Sequence, residues 1–88
     1  MTERIVKVIN RAGVHARPSA LLVQTTKNFS SNIFMQKGID RINAKSIMGI
    51  ITLGASYGTE IKIIAEGEDE EAAVETLVKL FESKFEEE

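Results

Sequence analysis

The alternation of hydrophobic and polar residues predicts four short strands in this 88-residue chain. Each candidate ends near a glycine or an asparagine, the residues that most often form turns. The clearest alternation would direct Ile61, Ile63 and Ala65 toward a core. A glycine-containing turn between the second and third candidates predicts a hairpin. The four predicted strands are residues 5–9, 33–36, 39–43 and 60–65.

Hydrophobic residues spaced three to four positions apart predict three helices. The first covers 18–29 and opens on Pro18, which suits a first helical turn because proline has no N–H to donate. In the second, Ser46 would cap the start and Gly54 would end the helix, although two consecutive isoleucines leave a strand as an alternative. The third begins at Asp69 and carries a wide apolar stripe, formed by Ala73, Val74, Leu77, Val78, Leu80 and Phe81.

The order of these elements is β-α-β-β-α-β-α, without a repeat or a linker. A chain of this kind buries one face of a sheet under its helices. We therefore expect an α+β fold, an open-faced sandwich with a four-stranded, mostly antiparallel sheet and three helices on one face. We expect residues 1–88 to form a single domain.

Composition narrows the possible chemistry. The chain has no cysteine and one histidine, so we expect no disulfide, no metal site and no bound cofactor. Its net charge of −2 argues against nucleic-acid binding, which usually requires a basic surface. The residues give no sign of a signal peptide or of an apolar segment long enough to cross a membrane, so we expect neither. We therefore expect a cytoplasmic protein.

The only histidine and the only proline of the chain flank an arginine in the stretch His15-Ala16-Arg17-Pro18. His15 would lie just ahead of a helix N-terminus, where unpaired N–H groups and the helix dipole favour anions over imidazolium. A neutral imidazole is a nucleophile, and Arg17 can bind phosphate or carboxylate oxygens in pairs. The alternative is an ordinary surface or capping histidine, and the residues alone do not exclude it.

Two motifs resemble the HPr family, the histidine-containing phosphocarrier proteins of the bacterial phosphoenolpyruvate-dependent sugar phosphotransferase system. Residues 13–18 (GVHARP) resemble its active-site motif and residues 45–49 (KSIMG) its regulatory-site motif. The resemblance covers essentially the whole chain and implies the same order of strands and helices. It also implies a carrier, not an enzyme: His15 would accept a phosphoryl group on Nδ1 from phosphorylated enzyme I and pass it to the IIA domains of sugar permeases.

The resemblance and the physics of phosphoryl transfer together assign further residues to this site. Arg17 would lie close to the phosphoryl group, and the backbone N–H groups of Ala16, Arg17 and Ser19 would bind its oxygens, whereas Pro18 has none to offer. Partner proteins would dock on a patch made of Ala20, Leu21, Ile47, Met48 and Ile51. The alternative for such apolar residues is a place in the core, and for Ile50 and Leu53 we expect the core. Arg17, Lys27 and Lys45 would give this face a positive rim, suited to fast and transient binding of acidic partners.

Ser46 has two compatible interpretations. Its position predicts a helix N-cap. The resemblance implies regulatory phosphorylation, because residues 46–49 are most similar to HPr proteins of low-GC Gram-positive bacteria, in which HPr kinase/phosphorylase modifies the matching serine. A catabolite-control transcription regulator would then be a further partner. Phosphate at a helix N-terminus would leave the helix folded and would repel acidic partner surfaces.

Three positions depart from common members of the family, namely Ala12, Gln24 and Tyr57, and they bear on partner choice. The alternatives to a sugar-branch carrier are a regulatory HPr-like binding module and a nitrogen-branch phosphocarrier. A small hydrolase with His15 as nucleophile ranks last, because the chain offers no evident second catalytic group. We expect the protein to be a monomer.

Overall fold

The computed structural model describes residues 1–86 and confirms the predicted order of elements. Glu87 and Glu88 of the predicted domain lie outside the described residues. The strands are β1 Thr2–Lys7, β2 Asn32–Lys37, β3 Asp40–Asn43 and β4 Glu60–Glu66. The helices are α1 Ala16–Thr26, α2 Ile47–Leu53 and α3 Glu70–Glu82, followed by a short 3₁₀ turn, Lys84–Glu86.

The four strands form one sheet in the order β1-β4-β2-β3, and every pairing between them is antiparallel. The helices pack on one face of this sheet, so the predicted open-faced sandwich is confirmed. Ile61, Ile63 and Ala65 of β4 are buried in the core, as their alternation predicted. The helices contribute the other half of that core, chiefly through Leu22, Ile50, Val74, Leu77 and Phe81.

The face of the sheet away from the helices is only partly exposed to solvent. Ile64 belongs to that face, yet it is 1% exposed. It lies between Glu3 of β1 and Phe34 of β2 in the strand register. The guanidinium of Arg41 lies 5.7 Å from the centre of the Phe34 ring, a distance at which a cation interacts with an aromatic face. A small apolar layer therefore covers the middle of β4 from outside.

Helix α1 begins two residues earlier than predicted, at Ala16, and it ends at Thr26 instead of Phe29. Pro18 is therefore the third helical residue. This shift costs no hydrogen bond, because none of the first helical N–H groups has an intrahelical acceptor. It has a consequence for the site, since His15 becomes the residue that caps the helix.

Helix α2 forms as predicted, and the strand alternative for this segment is wrong. The hydroxyl of Ser46 accepts a hydrogen bond from the N–H of Gly49 at 3.1 Å. Gly54 ends the helix in the left-handed conformation, with φ 66° and ψ 45°, which glycine adopts without steric cost. The two local signals at its ends outweigh the β-branched pair in the middle.

The acidic start of α3 is joined to the rest of the domain by hydrogen bonds. Asp69 accepts the N–H groups of Ser30 and Ser31 at 2.9 and 3.0 Å, and also the hydroxyl of Ser31. Glu70 accepts the hydroxyl of Thr2 at 2.6 Å and the N–H of Gly67 at 3.1 Å. Hydrogen bonding to the carboxylates, from Ser31 and Thr2 first of all, lowers the pKa of Asp69 and of Glu70 to about 2.

None of the helices in residues 1–86 is long and apolar enough to cross a lipid bilayer.

The lowered pKa of Asp69 makes stability depend on acidity. Because folding lowers this pKa from 3.8 to about 2, the stabilisation is fully present above pH 3.8 and is lost as the pH falls through 2. We expect Asp69→Asn to flatten the fall in the free energy of unfolding between pH 4 and pH 2, measured by urea denaturation. Glu75→Gln is the control, because Glu75 lies exposed on the same helix in a surface pair with Lys79. An unchanged slope in Asp69→Asn would contradict the assignment.

The cap of α2 predicts a second effect on stability. Ser46→Ala removes the acceptor for the Gly49 N–H and should lower the free energy of unfolding by about 0.5–2 kcal/mol. Ser46→Asp retains an oxygen acceptor at this position and should lose less. Chemical denaturation of the two variants beside the unmodified chain measures the difference. Equal losses would show that the cap hydrogen bond does not stabilise α2.

Candidate functional site around His15

His15 lies at the surface as the N-cap of α1. Its backbone is extended, with φ −97° and ψ −161°, and its side chain is exposed. The residue before it, Val14, is buried, so the chain emerges from the core at this point and turns into the helix. The predicted exposure of His15 at a helix N-terminus is therefore confirmed.

The start of α1 has the electrostatics of an anion site. Ala16 and Arg17 are the first two helical residues, so their N–H groups have no intrahelical acceptor. The first turn of the helix contains no acidic residue to occupy these donors. Arg17 is exposed and always cationic. An imidazole, two backbone donors and a guanidinium thus belong to three consecutive residues.

Ser19 fits its predicted role as a phosphate-binding amide less well than Ala16 and Arg17 do. Its N–H donates to the carbonyl of His15 at 2.9 Å and closes the first turn of α1. Its side chain is fully buried, and the hydroxyl has no hydrogen-bond partner there. Of the three amides assigned to the phosphate, the amide of Ser19 is already used by the helix, so Ala16 and Arg17 are the better donors.

A second loop fixes the residue before His15. The N–H of Val14 donates to the carbonyl of Ala55 at 2.8 Å. Ala55 follows the left-handed Gly54 at the end of α2, so the end of one helix supports the start of another. The sequence alone does not predict this contact. Nothing in the local residue types around Ala55 signals it.

Helices α1 and α2 pack side by side in opposite directions. The bond from Val14 to Ala55 joins the start of α1 to the end of α2. At the other end, the ammonium of Lys45 donates to the carbonyl of Phe29 at 2.7 Å, just beyond the end of α1. Ser46 therefore lies about 10 Å from the His15 end, along the axis of the seven-residue α2. The two candidate sites belong to one surface but do not merge.

The predicted docking patch is largely exposed. Ile47, Met48 and Ile51 of α2 are 40%, 66% and 42% exposed, while Ala20 and Leu21 of α1 are half-buried. The residues expected in the core, Ile50 and Leu53, are buried, which confirms that interpretation. Exposed apolar side chains grouped on one surface are a feature of protein-binding sites.

Lys45 does not form the free positive rim that was expected. Its ammonium is held by the carbonyl of Phe29, and the residue is half-buried. This contact places the charge near the C-terminal end of α1, where a helix dipole favours a cation. Lys27 and Arg17 remain exposed on α1 and at its end.

None of the four surface depressions described in residues 1–86 is lined by His15 or Arg17. A surface depression of about 480 Å³ lies between β3 and the end of α2, and its lining does not include His15 or Arg17. Among residues 1–86, no three acidic or histidine side chains are placed to hold a metal ion together. An exposed imidazole outside these depressions fits a macromolecular partner better than a small substrate, which usually binds in a cavity.

Comparison with known proteins agrees with this geometry. The family model for the PTS HPr component phosphorylation site matches residues 2–83. The phosphocarrier protein HPr of Treponema pallidum is 49% identical over 88 residues, covering 100% of both chains. The HPr-like protein Crh of Bacillus subtilis is 47% identical over 77 residues, which is 88% of this chain and 91% of Crh.

Solved structures of HPr from Thermoanaerobacter tengcongensis are similar to this fold at 53% identity. One, of HPr-C-His, has a TM-score of 0.96 and covers 100% of this chain and 99% of its own. Another, an HPr dimer, has a TM-score of 0.77 and covers 97% and 98%. The chain therefore belongs to the HPr family of the phosphotransferase system, whose members are phosphocarrier proteins and not enzymes.

Proposed function

We propose that His15 accepts a phosphoryl group from phosphorylated enzyme I and donates it to the IIA domains of sugar permeases. The observation that carries this proposal is the exposed imidazole of His15 at the cap of α1, next to the N–H groups of Ala16 and Arg17. Family membership supports a phosphocarrier role in general. The identity of the two partners follows from the resemblance of the GVHARP motif.

Phosphoryl transfer requires mainly that the protein position the reacting groups and stabilise negative charge. Nδ1 of the neutral His15 imidazole attacks phosphorus, the new P–N bond forms, and the bond to the donor breaks in line with it. Negative charge on the equatorial oxygens is stabilised by the Arg17 guanidinium and by the two free amides. The reverse events at a IIA domain release the group. An exposed site is required, because both partners must reach the same atom.

We assign partner docking to the exposed apolar residues beside this site. Ile47, Met48 and Ile51 offer an uncharged contact surface on α2, and Ala20 and Leu21 continue it on α1. Transient association suits a carrier that meets several partners in turn. The carrier would work as a cytoplasmic monomer. A relative solved as a dimer makes the oligomeric state in solution a necessary measurement.

We also propose that Ser46 is a regulatory phosphorylation site, modified by HPr kinase/phosphorylase and read by a catabolite-control transcription regulator. Its hydroxyl is half-buried and accepts one hydrogen bond, from Gly49. The phosphate would add negative charge at the edge of the docking patch, because Ser46 directly precedes Ile47. Acidic partner surfaces would then be repelled without unfolding of α2.

The alternative function is a regulatory module that binds partners without carrying phosphate, and the similarity to Crh makes it worth testing. The complete motif His15-Ala16-Arg17-Pro18 favours the carrier. A nitrogen-branch carrier would use the same chemistry with other partners. Hydrolysis is the weakest alternative, because the lining of the described 480 Å³ depression does not include His15.

Phosphorylation by enzyme I tests the carrier directly. Incubation with phosphoenolpyruvate and enzyme I should place one acid-labile phosphate on the chain, and His15→Ala should accept none. Arg17→Ala should slow the transfer by about 10²-fold or more, since one charge-stabilising donor is removed from the transition state. Mass spectrometry and rapid-quench labelling measure both effects. Label that persists in His15→Ala would reject the proposal.

Phosphorylation by HPr kinase/phosphorylase and ATP tests Ser46. We expect one acid-stable phosphate that Ser46→Ala cannot accept, while His15→Ala accepts it normally. The modified protein should receive phosphate from enzyme I more slowly than the unmodified protein, because added negative charge weakens the encounter with an acidic partner. Equal transfer rates before and after modification would contradict the regulatory role.

A further inference from the structure

The loop between β1 and α1 contains a buried polar residue that the phosphoryl chemistry does not touch. Asn10 is 1% exposed. Its side-chain Nδ2 donates to the carbonyl of Gly13 at 2.7 Å, and the N–H of Gly13 donates back to the carbonyl of Asn10 at 3.0 Å. These two bonds close residues 10–13 into one tight turn, which ends two residues before His15.

This turn is pressed against the loop that follows α2. Gly13 has φ +74°, a conformation that other residues adopt only with strain. A Cβ atom at Gly13 would lie 2.9 Å from the carbonyl oxygen of Ala55 and 3.1 Å from Cα of Ser56. The two backbones therefore approach so closely that a side chain at position 13 would not fit between them. Any change in the turn over 10–13 must move the chain relative to this neighbour.

This contact also fixes the position of His15. The N–H of Val14, directly before it, donates to the carbonyl of Ala55 at 2.8 Å. The carbonyl of His15 itself accepts the N–H of Ser19 at 2.9 Å. The backbone of His15 is thus held on one side by the loop after α2 and on the other by the first turn of α1.

We propose that Asn10 is a positioning residue for His15, because its hydrogen bond to Gly13 holds the Gly13–Val14 backbone against Ala55. The inference rests on the proposed phosphoryl transfer at His15. Burying a side-chain amide costs free energy unless the amide is hydrogen-bonded. Here the hydrogen bond lies in the loop that leads to His15. A displacement of about 1 Å in a reacting group can cost about 10²-fold in rate.

A matched pair of variants separates positioning from general stability. Asn10→Ala removes the bond to Gly13. The control is Thr26→Val, because Thr26 is also buried and its hydroxyl donates to the carbonyl of Ala44 at 2.9 Å, at the opposite end of α1 from His15. Each variant loses a buried bond from a side chain to a carbonyl, and Thr26→Val also loses the longer bond to the carbonyl of Val23 at 3.2 Å. Only the bond of Asn10 adjoins the His15 loop.

In transfer from phosphorylated enzyme I, we expect Asn10→Ala to lower kcat by about 10-fold or more. Its KM should stay within about twofold, because the docking patch is unchanged. Thr26→Val should keep the kcat of the unmodified chain. In the unphosphorylated protein, amide hydrogen exchange at Val14 should be faster in Asn10→Ala, while the amides of α3 keep their protection.

The inference is overturned if Asn10→Ala keeps full kcat, if Thr26→Val loses as much, or if exchange at Val14 is unchanged. Each of these results leaves phosphorylation of His15 in the unmodified chain intact. An unmodified chain that accepts no phosphate on His15 rejects the proposed function, and the positioning role falls with it. Circular dichroism checks folding. Should Asn10→Ala not fold, Asn10→Ser repeats the test with a polar side chain too short to reach the Gly13 carbonyl.

Discussion

The hydrogen bond from the Val14 N–H to the Ala55 carbonyl joins the loop before α1 to the loop after α2. The arrangement of the surface around His15 depends on this contact. It connects the start of α1, where His15 is exposed, to the end of α2. The geometry requires glycine on both sides, because Gly13 must approach Ala55 closely and Gly54 must end α2 in the left-handed conformation. One backbone contact thus links the helices that carry the proposed nucleophile and the proposed docking residues.

Two helices serve the core and the surface at once. Each of α1 and α2 directs one set of residues into the core and exposes another, and Ile50 and Ile51 are adjacent examples with opposite burial. The exposed set carries the proposed function, whereas the buried set fixes where the helices lie on the sheet. A carrier needs this division, because its site must be rigid enough to orient a phosphoryl group and open enough to meet two partners.

Acidic side chains at the start of α3 hold together the segments around them. The carboxylates of Asp69 and Glu70 accept hydrogen bonds from the loop before β2, from β1 and from the turn before α3. Acidic residues at the start of a helix are usually explained by the dipole alone. Here they also connect the start of α3 to segments that are distant in sequence.

Local signals in the chain were sufficient for most of the fold. Alternation marked β4, the stripe of α3 marked its buried face, and the pair Ser46 and Gly54 marked both ends of α2. The motif around His15 also predicted an exposed imidazole at the start of α1, beside an exposed arginine. These features depend on neighbours within one or two helical turns, so the sequence carries them directly.

Contacts between distant segments were decided only by the folded structure. The burial of Ile64 on the outer face depends on Phe34 from a neighbouring strand, and the capture of Lys45 depends on the carbonyl of Phe29. The exact start of α1, which makes His15 its cap, also escaped prediction, because several first-turn positions tolerate proline equally. Residue types specify which groups can bond. Only the packing of strands and helices specifies which of them meet.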